Sequence, residues 1–507
     1  MSAIPSISVR GRMIGAGALA LLYGLALVLF RGEPVATGDQ GILLSVAARM
    51  LHGDQLYSEV IENKDPLVFY TYELALWIGG WRGPFLLDGV WFAVGAVGLG
   101  LLLRELRAPT AAVVAGFVLY PLALTSGWYL PGLTMLGALA FVPWIPWAWL
   151  SGRHVTAGVL IGVVLYFKLN LAAVAVAPLL AFLLLGAPEG SRVRQLARAT
   201  AGLVATLVAG AVLLAIDAGF IAYLESIQYN AHYANGLLAS QGWLGRLREH
   251  FNVVLEYFRA AGRWQYRTGL LVAAVFAGVV ALAWTRYLRP LRLLASTATA
   301  TLVLTLVTLA FTAYWFHHLQ MLAYPATLIG ATFVAALGAR FGARAAAVGA
   351  ALCVAFAFWS SAKNEDGIRI SPAWSATPIS VGADLMNQAR DRYYPGSDRV
   401  SYMVFGGNSE NAHAAFLEDG FDLSCRWFHL YPVSLDSQFS ETLDCARRER
   451  PELVLITLGF FDERAQLDER WGGFVGGAKA FLDESYVKVA EGYPGFEVWK
   501  RRTDTPS

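Results

Sequence analysis

Residues 13–41 read MIGAGALALLYGLALVLFRGEPVATGDQG, an apolar run over 13–30 that passes into a polar loop containing Asp39. A helix needs about 17 to 25 mainly apolar residues to cross the roughly 30 Å hydrocarbon core of a bilayer. Asp39 therefore follows closely after the first predicted span, and Lys64, in Asn63-Lys64-Asp65-Pro66, lies on the same loop. Charges at the mouth of a membrane bundle are costly to hold unless they serve a polar substrate, so this loop is the first candidate for a functional site.

The composition of the whole chain indicates a membrane protein. Of 507 residues, 56% are hydrophobic and 15% are charged, whereas about a quarter of the residues in a soluble domain are charged. The net charge of +2 is too small to favour a nucleic-acid partner. We therefore predict a polytopic α-helical membrane protein that is surrounded largely by lipid.

Apolar stretches recur along the first 361 residues and predict about eleven membrane spans. They lie near 13–30, 85–103, 110–126, 132–150, 155–167, 171–187, 199–220, 269–285, 293–313, 321–338 and 345–361. The stretch 155–167 is short, so 155–187 is either two spans or one long broken hairpin. An odd number of spans places the two termini on opposite sides of the membrane.

Basic residues indicate the orientation, because cytoplasmic loops of membrane proteins are enriched in Lys and Arg. With the N-terminus in the cytoplasm, these arginines all fall in cytoplasmic loops: Arg10, Arg12, Arg104, Arg107, Arg153, Arg192, Arg194, Arg198, Arg286, Arg289, Arg292, Arg340 and Arg344. The first outer loop (31–84) and the segment after 361 then lie outside the cytoplasm. The first span could instead be a cleaved signal peptide, but its apolar core is long for one, so we expect it to be retained.

The first outer loop is predicted to contain two short helices. From Gln40 to Met50, apolar residues recur at helical spacing, which is typical of a helix lying in the membrane interface. Pro66 suits the first turn of a second helix, whose tyrosines and Trp77 provide an interfacial aromatic face. These helices are expected to frame Asp39 and Lys64.

The same loop resembles the motif of a known family. GDQGILLSVAARML (38–51), followed by ENKDPLVFY (62–70), is similar to the Asp-Glu-x-x-Tyr … Lys-Pro-Pro-Leu-x-Tyr-Tyr signature of GT-C membrane glycosyltransferases. These include aminoarabinose transferases acting on lipid A and protein O-mannosyltransferases. Gln40, Asn63 and Asp65 replace an acid, a Glu and a Pro of the family pattern. The resemblance implies a GT-C fold and inverting transfer of a sugar from a polyprenyl-phosphate donor to an acceptor hydroxyl, at the outer face of a bacterial inner membrane.

The resemblance also implies roles for individual residues. Asp39 would be the general base that accepts the proton of the acceptor hydroxyl. VVLYFKLN (163–170) resembles a family segment whose lysine meets the donor phosphate, and YWFHHLQ (314–320) is similar to a histidine-containing segment that opens a late span. The implied substrate-binding residues are Lys64, Asp65, Tyr70, Lys168, His317, His318 and Gln320. Lys168 could alternatively only extend its ammonium to the interface.

No cofactor follows firmly from these residues. A divalent cation held by Asp39, His317 and His318 is one candidate, because carboxylate and imidazole suit several metals, although adjacent histidines in an extended segment point apart. Gly406-Gly407 after an apolar stretch is more typical of a turn than of a dinucleotide site. The expected partners are a polyprenyl-phosphate sugar, a lipid, glycan or protein acceptor, and membrane lipids.

The composition changes near residue 362, which predicts a multi-span domain over 1–361 and an extracytoplasmic α/β domain over 362–507. Patterns in the second part predict strands at 400–405, 453–458, 487–489 and 496–499 and a helix at 441–450. Its two cysteines, Cys425 and Cys445, would be in a compartment that permits a disulfide, and the sequence leaves the bond open.

The segment 225–268 combines aromatic residues with arginines, which favours either contact with anionic groups or a helix resting on lipid. A non-enzymatic transporter or flippase of polyprenyl-linked sugars would need charges near mid-bilayer and repeated halves. The chain has no recognisable repeat and few mid-span charges apart from Asp217, so the enzyme is favoured.

Overall fold

The computed structural model describes residues 9–31, 34, 38–125, 129, 132, 134–185, 191–216, 219–238, 245, 248, 291–311, 316–362, 370, 381–406, 420–427, 430, 434–457, 460–461, 469–492 and 495–502. The chain forms two compact units that do not follow its order. The helical unit comprises Met1–Glu33, Phe85–Ala209 and Gln241–Ser371, and the loop-and-sheet unit comprises Pro34–Pro84, Gly210–Ser240 and Pro372–Ser507. The first outer loop thus shares a unit with the C-terminal segment.

Apolar helices make up most of the helical unit. They are α1 (Val9–Arg31), α4 (Gly83–Glu105), α5 (Thr110–Leu124), α6 (Thr134–Phe141), α7 (Trp144–Leu150), α8 (His154–Phe167), α9 (Ala172–Leu185), α10 (Arg192–Ile216), α12 (Arg292–Phe311), α13 (Ala323–Phe341) and α14 (Ala343–Ala362), where α10 continues a few residues into the other unit. Helices therefore coincide with ten of the eleven predicted spans, and the predicted span 269–285 lies outside the described residues. The predicted span 132–150 is two short helices, and Pro143 lies in the break between them.

Among the described residues, four helical stretches are long and apolar enough to cross a membrane: Pro66–Glu105, Arg192–Ile216, Arg292–Leu309 and Gln320–Phe341. Six shorter apolar helical stretches, some of which contain more than one helix, accompany them in the described part of the chain: Gly15–Phe30, Thr110–Leu124, Thr134–Leu150, His154–Phe167, Leu169–Leu184 and Ala343–Phe358. The predicted stretch 155–187 contains two helices, α8 and α9, separated by a short 3₁₀ turn over Leu169–Leu171, an arrangement that fits both two spans and a broken hairpin. The fold is that of a polytopic α-helical membrane protein.

Close backbone approach and polar side chains join the helices of this unit. Helices α8 and α10 cross where a Cβ on Gly158 would collide with the Ala199 carbonyl and one on Gly202 would collide with the Val155 carbonyl. Small residues at such crossings allow helices to pack tightly in lipid. The Tyr120 hydroxyl also donates to the Leu139 carbonyl oxygen at 2.7 Å, satisfying polar atoms away from water.

The loop-and-sheet unit contains both predicted loop helices and a small sheet. Its helices are α2 (Gly38–Leu51), α3 (Pro66–Gly79), α11 (Phe220–Leu238), α15 (Val381–Tyr393), α16 (Asp436–Glu449) and α17 (Glu469–Ser485). Its strands are β1 (Val400–Phe405), β2 (Phe421–Leu423), β3 (Leu453–Ile456), β4 (Tyr486–Gly492) and β5 (Phe496–Arg501). The helices predicted at Gln40–Met50 and from Pro66 are confirmed, as is the C-terminal α/β layer.

The sheet has the order β2-β1-β3-β5-β4. Strands β2, β1 and β3 run parallel, whereas β5 is antiparallel to β3 and to β4. Helix α15 covers one face of the sheet, where Met386 packs with Tyr402, Leu455 and Val498. Strand β3 is buried at all four positions, as expected for a central strand with helices on both faces.

Candidate active site

The candidate site comprises the start of α2 and the segment that joins α2 to α3. Asp39 is in the first turn of α2, where an acidic side chain is favoured by the helix dipole. Asp65 is the residue before α3, and its extended backbone (φ −73°, ψ 148°) is the conformation that the following Pro66 imposes. The site therefore combines a side chain at the start of α2 with the residues that precede α3.

A cation between two carboxylates forms the centre of the site. The Lys64 ammonium lies 3.0 Å from Glu62 Oε1 and 3.7 Å from Asp39 Oδ1, and it donates to the Asn63 side-chain oxygen at 3.1 Å. At 3.7 Å the pairing with Asp39 is one of charge rather than a hydrogen bond. The side chain of Glu62 is 3% exposed and that of Asp39 is 29% exposed, so Asp39 is the carboxylate that an incoming hydroxyl can reach.

Tyr57 holds the backbone of Lys64 from inside the same loop. Its hydroxyl donates to the Lys64 carbonyl oxygen at 2.6 Å, and its side chain is fully buried. Its backbone has a φ of 67°, a left-handed conformation that costs a non-glycine residue on the order of 1–3 kcal/mol. Burial, followed by the negative charge of Asp65, raises the pKa of Tyr57 well above its usual value, so this hydroxyl remains a donor at neutral pH.

Helix α11 contacts the same segment. The Tyr223 hydroxyl donates to Asp65 Oδ1 at 3.2 Å, the Ser226 hydroxyl donates to the Glu62 carbonyl at 3.4 Å, and the Asn230 amide donates to the Asn63 carbonyl. Asp65 is buried, and its carboxylate accepts from Tyr223 rather than capping α3.

The C-terminal part of the unit reaches the segment through residues 425–427. The Ile61 N–H donates to the Arg426 carbonyl at 3.0 Å. The Arg426 guanidinium forms a bidentate salt bridge with the Glu441 carboxylate. That carboxylate also accepts a hydrogen bond from the Trp427 indole N–H at 3.0 Å. Burial acts to raise the pKa of Glu441, but the hydrogen bonds from Arg426 and Trp427 outweigh it and lower that pKa below its usual value. A disulfide between Cys425 and Cys445 joins this stretch to α16.

The remaining predicted residues divide between the two units. Tyr70 is half-buried on α3, in the same unit as Asp39 and Lys64, whereas Lys168, His318 and Gln320 belong to the helical unit. Lys168 is half-buried at the end of α8, where it interrupts the helix, and His318 and Gln320 are both buried in the 3₁₀ helix Phe316–Leu322. The side chain of His317 lies outside the described residues, as does Asp217.

The sequence patterns did not identify several residues of the site. Glu62 lies closer to the Lys64 ammonium than Asp39 does, and its position two residues before that lysine was the available signal. Tyr223, Ser226 and Asn230 recur at helical spacing on one face of α11, but nothing local indicates that this face meets a loop some 160 residues earlier.

In the helical unit, the sequence analysis also did not single out Asp88. This buried residue accepts from the Tyr129 hydroxyl at 2.9 Å and from the Gly132 N–H at 2.7 Å.

The described residues contain no group of three or more His, Cys, Asp or Glu side chains arranged to hold a metal ion. The divalent cation considered from Asp39, His317 and His318 stays a prediction, because the His317 side chain is outside the described residues.

This chain is similar to solved membrane-protein structures at low sequence identity. No family model matches it, and no curated protein matches it. Among solved structures it is similar to that of ArnT from Cupriavidus metallidurans bound to undecaprenyl phosphate, with a TM-score of 0.49 and 14% identity, covering 98% of this chain and 99% of that one. It is also similar to arabinosyltransferase EmbB from Mycobacterium smegmatis, with a TM-score of 0.36 and 14% identity, covering 97% of this chain and 43% of that one.

Proposed function

We propose that the protein is an integral-membrane glycosyltransferase of the GT-C type, which transfers a hexosyl or pentosyl group from a polyprenyl-phosphate donor to an acceptor hydroxyl. The observation that carries this proposal is the pairing of a reachable carboxylate, Asp39, with the Lys64 ammonium 3.7 Å away, on a loop adjoining apolar helices. The resemblance of 38–51 and 62–70 to the GT-C signature supports the same reaction.

Asp39 is the proposed general base. As the acceptor hydroxyl attacks the anomeric carbon, it must lose its proton, and a positioned carboxylate accelerates such a step by about 10²- to 10⁴-fold. The bond that breaks joins the anomeric carbon to the phosphate oxygen, whose electron pair leaves with the polyprenyl phosphate. Single displacement inverts the anomeric configuration.

Lys64 is the proposed partner of the departing phosphate. Negative charge grows on the leaving oxygen in the transition state, and a cation already fixed in place stabilises it at little reorganisation cost. Glu62, Asn63 and Tyr57 fix Lys64 in this way, through its ammonium and its carbonyl. Asp65 and Tyr70 are proposed to line the same substrate site, and Lys168, His318, His317 and Gln320 are proposed to contribute to donor binding.

The reaction is placed at the outer face of a bacterial inner membrane, with the N-terminus in the cytoplasm and the segment after 361 outside. The acceptor is proposed to be a cell-envelope glycan, a glycolipid or a protein. These assignments follow from the distribution of arginines and from the family resemblance.

The test is to incubate the purified protein with a panel of polyprenyl-phosphate sugars carrying a radiolabelled sugar. We expect at least one donor to be consumed, with release of polyprenyl phosphate and transfer of label to water or to an added acceptor, and the product to show inverted configuration by NMR. Movement of intact donor across the membrane of proteoliposomes, without its consumption, would instead support the alternative of a non-enzymatic transporter or flippase.

A further inference from the structure

Three consecutive backbone carbonyl groups before α3 accept hydrogen bonds from side chains, two on α11 and one in the same loop. Ser226 donates to the carbonyl of Glu62, Asn230 to that of Asn63, and Tyr57 to that of Lys64. Loop carbonyls usually bond to other backbone groups or to water, and the alignment of three side-chain donors on consecutive residues fixes the backbone on either side of the Lys64 Cα.

Two of these donors belong to one face of α11, together with Tyr223. Residues 223, 226 and 230 are spaced i, i+3 and i+7, which places them on a single stripe of the helix. Tyr223 and Ser226 are buried, whereas Ile221, Leu224 and Gln228 on the rest of the helix are exposed. The polar face of α11 is therefore directed to the loop and not to solvent.

Close packing at the start of α11 keeps this face in register. Gly219 directly precedes the helix, and a Cβ at this position would collide with the Leu56 carbonyl oxygen. The rings of Tyr57 and Tyr223 also pack with centroids 5.3 Å apart. On the other side of the loop, the Arg426 carbonyl oxygen accepts from the Ile61 N–H, and the Arg426 guanidinium pairs with Glu225 of α11 at 3.8 Å.

We infer that α11 is the positioning element of the Lys64 segment, with Tyr223, Ser226 and Asn230 as positioning residues that set where the Lys64 ammonium meets an anionic phosphate group. This inference rests on the proposed function. None of the three residues is assigned a part in the chemistry itself, and they act through Lys64. Weakening their contacts should loosen residues 61–65 and lower phosphate affinity while leaving the rest of the fold intact.

The sharpest variant is Asn230→Asp, which keeps the size of the side chain but replaces the donating amide with a carboxylate facing the Asn63 carbonyl. Gln228→Glu is the matched control, because it makes the same chemical change at an exposed position of the same helix. Tyr223→Phe is the second variant, removing only the hydroxyl that donates to Asp65.

Two quantities are measured on each full-length variant: hydrogen–deuterium exchange of peptides covering 61–65, and affinity for undecaprenyl phosphate in detergent. One lost hydrogen bond corresponds to about a 2- to 12-fold change in a local equilibrium. Asn230→Asp and Tyr223→Phe should therefore exchange about 2- to 12-fold faster at 61–65 and bind the lipid about 3- to 10-fold more weakly, with Tm and exchange in β1 and β3 unchanged. Gln228→Glu should match the parent in both.

Unchanged exchange at 61–65 in both variants would overturn the inference, and so would faster exchange with parental lipid affinity. Neither result depends on sugar transfer. A parent protein that consumes no donor would contradict the proposed function alone, since the exchange measurement still reports whether α11 holds the loop.

Discussion

Removing the Lys64 ammonium tests the electrostatic design of the site. Lys64→Met leaves the nearly buried Glu62 and the partly exposed Asp39 without their shared cation. With an effective dielectric constant of about 20, the attraction is about 5–6 kcal/mol across 3.0 Å and about 4–5 kcal/mol across 3.7 Å. Desolvation of the charges offsets much of this, and breaking a buried pair by removing one partner costs about 3–5 kcal/mol in measured cases.

We therefore expect Lys64→Met to destabilise the protein by about 3 kcal/mol, the low end of that range, because Asp39 keeps contact with water. Because the unfolding entropy grows with chain length, in a chain of 507 residues the loss should lower the Tm by roughly 3 °C. Adding Glu62→Gln to Lys64→Met removes the unpaired buried charge and should recover part of the Tm. The assay is thermal unfolding in detergent followed by tryptophan fluorescence.

The control is Lys479→Met, which breaks an exposed helical pair with Asp483 at 2.8 Å and should change stability by less than about 0.5 kcal/mol. A parental Tm for Lys64→Met would refute the electrostatic reasoning. So would a double variant no more stable than Lys64→Met, because the penalty is assigned to Glu62.

Three further outcomes are expected. Lys168→Ala should weaken donor binding by about 10- to 100-fold if its ammonium meets the phosphate, with partial recovery in Lys168→Arg, and parental affinity would remove Lys168 from the site. Glu441→Gln should destabilise the attachment of residues 425–427 to α16 at neutral pH. Because the pKa of Glu441 is lowered on folding, the difference from the parent should disappear as pH falls below 4.5, and a difference that persists there would contradict the pairing with Arg426. A reporter fused after Ser507 should score as extracytoplasmic and one at Arg289 as cytoplasmic, and a cytoplasmic C-terminus would reverse the proposed orientation.

Local pattern accounts for the elements that frame the site. The helical spacing over Gln40–Met50 and the proline at 66 predict α2 and α3, because periodicity and a missing N–H act within a few residues. Strands β1 and β3 follow from short apolar runs in a segment of soluble composition. Hydropathy did not predict the break between α6 and α7. It averages over the residues around Pro143 and does not include the effect of the backbone N–H that proline lacks.

The surroundings of Lys64 depend on distant parts of the chain. Asp39 and Lys64 were identified because unusual charges follow an apolar span. Tyr223 and Asn230 were not, because which face of a helix meets which loop is decided by tertiary packing. The sequence also did not predict that the first loop and the C-terminal sheet belong to one unit. Contacts such as that of Ile61 with Arg426 join residues more than 360 positions apart.

The central claim is that Asp39 is the base of a sugar transfer, and the initial rate of Asp39→Asn tests it most directly. The substitution keeps the shape of the side chain and removes its ability to accept a proton, so turnover with the donor identified from the panel should fall by about 10²- to 10⁴-fold. Affinity for polyprenyl phosphate should remain within a few fold of the parent, and Asp384→Asn, at an exposed position of α15, should turn over normally. Near-parental turnover by Asp39→Asn would contradict the assignment.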